Sequence, residues 1–135
     1  MSVSENFRGK RVLITGGLGF LGSNLARQLV EFGADVVLLD AMLPLYGGNE
    51  YNVADIRDKI TVEIGDVCDK ATVDRLVKGC HFIYHFAAQV SYIDSIADPW
   101  RDLELNCAGL LNVLEACREY APEAKIVFSS SRMVL

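Results

Sequence analysis

The chain has 135 residues, 51% of them hydrophobic and 23% charged, a size and balance suited to one domain around one core and unlike disorder. Its 13 basic and 18 acidic residues leave a net charge of -5, so it lacks the basic face that nucleic acid requires. No apolar run reaches membrane-spanning length, and Met1 to Lys10 is polar and mixed in charge, unlike a signal peptide.

Arg11 to Thr15 is short, apolar and β-branched, and predicts a buried strand running into a glycine cluster. Phe20 to Phe32 places Leu21, Leu25 and Leu29 four apart, which predicts a helix stopped by Gly33. Asp35 to Leu39 is a second buried strand ending at Asp40. Ala41 to Asn52, with Pro44, Gly47, Gly48 and Asn49, reads as a loop. Ile60 to Ile64 is a third strand. Asp69 caps a short helix carrying Val73, Leu76 and Val77 and closed by Gly79. His81 to Ala87 is a fourth strand. Asp98 and Pro99 form an N-cap and first-turn pair. The helix that follows is predicted to carry Leu103, Cys107, Leu110, Leu111, Leu114 and Cys117 on one stripe. Lys125 to Ser129 is a fifth strand.

Strands alternating with helices predict an α/β fold: a Rossmann-type doubly wound parallel sheet, order 3-2-1-4-5, cut off after the fifth strand. Residues 1–135 form one domain on this reading. Cys68, Cys80, Cys107 and Cys117 form no C-x-x-C pair and have no histidine cluster beside them. They predict no metal site, and buried free thiols in a reducing cytoplasm.

The segment Thr15 to Gly22 reads either as G-x-G-x-x-G from Gly17, Gly19 and Gly22, or as G-x-x-G-x-x-G from Gly16, Gly19 and Gly22. Either pattern lets the chain turn sharply, approach a pyrophosphate closely and pack the next helix on the sheet. That helix then offers unpaired N–H groups to the anion. Asp40 lies 24 residues after Gly16, at the position expected to bind a ribose. A carboxylate there accepts from ribose hydroxyls and repels a 2′-phosphate, so NAD is expected in preference to NADP.

These residues resemble the extended short-chain dehydrogenase/reductases, the NAD-dependent nucleotide-sugar epimerases and dehydratases, over nearly the whole chain. Gly16, Gly19, Phe20, Leu21 and Gly22 stand in the family's glycine turn. Gly65-Asp66-Val67 resembles its G-D-[VI], so Asp66 and Val67 are implied on the adenine. His85-Phe86-Ala87-Ala88 resembles its H-x-A-A, whose backbone runs along the cofactor. Asn106 resembles its helix asparagine, on the cofactor side, and Tyr46-Gly-Gly-Asn49 its loop after the ribose acid, with Asn49 toward adenine. Ser129-Ser-Ser131 followed by Val134 resembles S-S-S-x-x-V-Y-G. It implies Ser131 as the catalytic serine on the reacting sugar oxygen and Ser129 near the nicotinamide.

The resemblance implies hydride transfer between a sugar carbon and NAD, a nucleotide-sugar substrate, and a homodimer. Ala41 departs from the usual Asn, and Leu135 from the usual Tyr. The family's Y-x-x-x-K pair does not occur, and Tyr84, Tyr92 and Tyr120 have no Lys four residues on. The chain alone is therefore expected to be inactive. Two other readings stand beside the epimerase or dehydratase: a stand-alone dinucleotide-binding module, and an assembly protein without catalysis.

Overall fold

A computed structural model describes residues 2–44 and 46–131. Five parallel strands lie in the order β3-β2-β1-β4-β5, as the sequence predicts. They are β1 (Arg11–Thr15), β2 (Asp35–Asp40), β3 (Ile60–Ile64), β4 (Phe82–His85) and β5 (Lys125–Phe128). A short α1 (Val3–Phe7) precedes them. The longer helices are α2 (Phe20–Glu31), α3 (Lys70–Val77) and α6 (Gly109–Tyr120), with short α4 (Tyr92–Ala97) and α5 (Pro99–Leu103) ahead of α6.

The central strands are buried on both faces, which is why they read as continuous apolar runs. Val12, Ile14, Val36 and Leu38 point to one layer, with Ala26 and Leu29 of α2. Leu13, Val37, Leu39 and Ile83 point to the other, with Val73 and Leu76 of α3 and Val113 and Ala116 of α6. The period of two along each strand divides one sheet between two cores.

Several elements differ from the sequence reading. Residues 50–52 are not loop: Glu50–Lys59 is a 3₁₀ helix capped by Asn49, and it buries Val53 and Ile56. β4 ends at His85, where the chain leaves the sheet to line a cleft, and β5 ends at Phe128. Of the predicted α2 stripe, Leu29 is buried, but Leu21 is 59% exposed; Gly22, Ser23 and Ala26 take the inner face.

Most of the predicted stripe after Pro99 lies on the outer face, but Cys117 is buried. Leu103, Leu111 and Leu114 are exposed, as is Cys107. Leu105, Gly109, Val113 and Ala116 face the core beside Cys117. The reason is close packing: a Cβ on Gly109 would sit 2.7 Å from Val67 Cγ2, so the inner face takes small residues. A π-helical turn, Glu104–Ala108, joins α5 to α6. The thiols are free as expected, but only Cys80 and Cys117 are buried; Cys68 is half-buried and Cys107 exposed.

Candidate functional site

β1 ends in a turn that only glycine can make. Gly16 has φ +69°, and a Cβ there would lie 2.9 Å from the backbone of Phe86 and Ala87. A Cβ on Gly22 would collide with the Gly16 carbonyl oxygen. Gly19 caps α2 and donates its N–H to the Gly16 oxygen at 3.2 Å. Gly17 faces away, against Leu38. The spacing Gly16, Gly19, Gly22 therefore describes the cleft wall, and Gly17 serves packing.

Above this turn lies an open cleft of about 290 Å³ at the C-terminal ends of the strands. The glycine turn contributes Gly16, Gly19, Phe20, Leu21 and Gly22 to it. The end of β2 contributes Asp40, the turn after β3 contributes Asp66 and Val67, and the chain beyond β4 contributes Phe86, Ala87 and Ala88. Sequence reasoning did not place Leu43, Tyr46, Gly48, Val90 and Leu105 there, yet they line it too. Ligands of open α/β sheets bind in such a crevice, where the strand order reverses between β1 and β4.

The Asp40 carboxylate is held by two backbone donors, Leu18 N at 3.0 Å and Met42 N at 2.9 Å. A Cβ on Gly48 would approach Asp40 Oδ1 to 2.7 Å, so the loop closes over the acid only because residue 48 is glycine. Two carboxylate oxygens offer about four acceptor sites, so capacity for ribose hydroxyls remains. Asp66 accepts from Cys68 N at 2.9 Å and from the Arg101 guanidinium at 2.8 Å. Burial pushes its pKa up, but these two donors outweigh burial and hold it below the usual carboxylate range. Tyr46 closes one side, donating to Asp94 Oδ2 at 3.2 Å.

The remaining predicted residues lie outside the cleft lining. Asn49 is exposed, and its side chain accepts from Tyr51 N as a helix cap. Asn106 accepts from Gln89 N at 2.9 Å and donates to the Gln89 oxygen and Asp102, tying the chain beyond β4 to the π-helical turn. Ser129 donates to the His85 oxygen at 3.4 Å. Ser131 lies past the end of β5, exposed, beyond the C-terminal ends of the parallel strands, as the glycine turn does. Val134 and Leu135 lie outside the described residues.

His85 is 2% exposed, and its Nδ1 meets Thr15 Oγ1 at 2.9 Å. The same oxygen accepts from Ala87 N at 3.2 Å, which fixes the backbone of the cleft wall. Burial pushes the His85 pKa down to about 4. The fold thus keeps the ring neutral while an unfolded chain binds a proton near pH 6.5. Stability is full above pH 6.5 and is lost as pH falls from there toward 4, by up to about 3 kcal/mol. Urea titrations across that range should show this slope, and His85→Asn should flatten it; an unchanged slope would refute the assignment.

A doubly wound parallel sheet, with a glycine turn feeding a helix and an acid closing the next strand, defines a Rossmann-type fold. The chain belongs to the family described as GDP-mannose 4,6 dehydratase, whose model matches residues 13–134. CDP-paratose 2-epimerase of Salmonella typhi is 35% identical over 129 residues, covering 92% of this chain and 37% of that protein. Among solved structures, an epimerase of Methanothermobacter thermautotrophicus superposes with a TM-score of 0.86 at 34% identity, over 96% of this chain and 37% of that one. The UDP-glucose 4-epimerase of Thermus thermophilus, solved with NAD, gives 0.76 at 38% identity over 90% of this chain and 37% of that one. The chain spans just over a third of the length of these relatives.

Proposed function

We propose that residues 1–135 form the NAD-binding part of a nucleotide-sugar epimerase or dehydratase. The observation that carries this is that the Gly16–Gly22 turn and Asp40 line one crevice side by side, with Leu18 N of the turn donating to the Asp40 carboxylate at 3.0 Å. The turn has no room for side chains at Gly16 and Gly22, as close approach of a pyrophosphate requires. The relative of known structure solved with NAD supports the choice of cofactor.

On this reading the N-terminus of α2 faces the pyrophosphate. Asp40 accepts from the adenosine ribose hydroxyls, with Asp66 and Val67 at the adenine. Phe86, Ala87 and Ala88 lie along the cofactor, Asn106 holds that segment in place, and Ser129 lies toward the nicotinamide. Asn49 supports the adenine side through the 3₁₀ helix that it caps. NAD supplies the hydride acceptor. Ser131 hydrogen-bonds the sugar oxygen that loses its proton.

No tyrosine of the sequence has lysine four positions on, so these 135 residues lack the pair that moves that proton. The chain alone binds cofactor and does not turn over substrate. A thermal shift with NAD, and none with inorganic phosphate, is the expected result. Turnover of UDP- or dTDP-glucose by the purified chain would contradict the second half of the proposal.

The protein is a homodimer in this account, through the outer face of α6. Leu111 is 57% exposed and Leu114 41%, on the same helical segment as exposed Leu103, and an apolar helix face of this kind favours pairing. Light scattering should give twice the chain mass, and Leu114→Glu should halve it; a monomer at high concentration defeats this assignment. Free thiols fit a cytoplasmic protein, and the net charge of -5 fits one that binds no nucleic acid.

A further inference from the structure

Asp66 is held in a closed ring of hydrogen bonds. Its Oδ1 accepts from Cys68 N at 2.9 Å. The Cys68 thiol donates to the Glu104 carbonyl at 3.5 Å. The Glu104 carboxylate accepts from Arg101 Nη1 at 2.6 Å, and Arg101 Nη2 donates to Asp66 Oδ2 at 2.8 Å. The ring joins the turn after β3 to α5 and the π-helical turn. Arg101 sits at its centre, bridging two carboxylates with a planar fork whose donors are fixed relative to each other. Asp66 lines the cleft; Arg101 does not.

We infer that Arg101 is a positioning residue that sets the selectivity of the cleft for adenine, by fixing the plane of the Asp66 carboxylate. The inference rests on the NAD reading of the cleft. Adenine presents an exocyclic amino donor at C6, which an ionised, oriented carboxylate accepts. Hypoxanthine presents a carbonyl oxygen at C6, so two acceptors face each other and neither is satisfied. Selectivity of this kind needs a carboxylate that stays charged and does not rotate. Cys68 N alone fixes one oxygen and leaves the other free to swing; Arg101 fixes the second. A guanidinium tied to Glu104 cannot follow the carboxylate away from the site.

The test compares NAD with nicotinamide hypoxanthine dinucleotide by calorimetry on the full chain. The unaltered chain should prefer the adenine form by roughly tenfold or more. Arg101→Met should weaken NAD by roughly tenfold and leave the hypoxanthine form nearly unchanged, so that the preference collapses. In an Asp66→Ala background, Arg101→Met should produce no further change in preference. If Arg101→Met does not fold, Arg101→Lys carries the same comparison, since an ammonium keeps the charge and loses the planar fork. Equal weakening of both ligands would mean that Arg101 only braces α5, and would overturn the inference while the NAD reading stands. Failure of the unaltered chain to bind either dinucleotide would overturn both.

Discussion

Gly22→Val is expected to destroy the dinucleotide site and to lower stability by about 3 kcal/mol. The new side chain would enter the space held by the Gly16 carbonyl and the Gly17 Cα, which are backbone atoms that cannot step aside. Displacing them moves the turn that meets the pyrophosphate, so NAD affinity should fall more than roughly a hundredfold. Urea denaturation and calorimetry on one preparation check both effects. Gly19→Ala separates them. Its Cβ would meet only the Gly16 oxygen, at 3.4 Å. It should fold almost as well as the parent, yet bind NAD more weakly, because Gly19 lines the cleft. A Gly22→Val chain with parental affinity would remove the glycine turn from the account.

Asp40→Ala should reduce NAD affinity by roughly a hundredfold, the loss of two charge-assisted hydrogen bonds to a ribose. It should also cost about 1–3 kcal/mol of stability, since Leu18 N and Met42 N lose their acceptor. Asp40→Asn removes the charge and keeps an acceptor for only one of those amides, because Leu18 N and Met42 N bond different carboxylate oxygens and the new NH₂ group faces the other. It should therefore lose less stability than Asp40→Ala while bringing NADP affinity up toward that of NAD. Denaturation curves for both variants, with the affinities of both cofactors, distinguish the structural role from the recognition role. If Asp40→Asn leaves the ratio of the two cofactors unchanged, the carboxylate does not choose between them.

The sheet was legible because buried parallel strands leave uninterrupted apolar runs, and Val12 to Ile14 and Val36 to Leu39 are such runs. The helices at the site were less so. Period-based reading ranks leucines above small residues. It picked out Leu111 and Leu114, which lie on the outer face, and passed over Gly109 and Ala116, which pack on the core. The 3₁₀ helix at Glu50–Lys59 repeats every three residues, so Val53 and Ile56 do not match the α-helical template. Asn49 before Glu50 was the available signal, as a cap. The glycine turn and Asp40 were legible from residue types that cofactor chemistry requires, and Asp66 from a family resemblance; all line the cleft. Arg101 and Tyr46 were not, because each acts through a partner distant in sequence: Asp66 for one, Asp94 for the other. Spacing carries no trace of such pairs.

The central claim is that the cleft lined by the Gly16–Gly22 turn and Asp40 is a site for NAD. Calorimetric titration of the full chain with NAD and with NADP under identical conditions tests it most directly. The account predicts one site per chain for NAD and binding of NADP at least roughly tenfold weaker, because the Asp40 carboxylate faces the 2′-phosphate. Equal or tighter binding of NADP, or no heat with either cofactor, would contradict it.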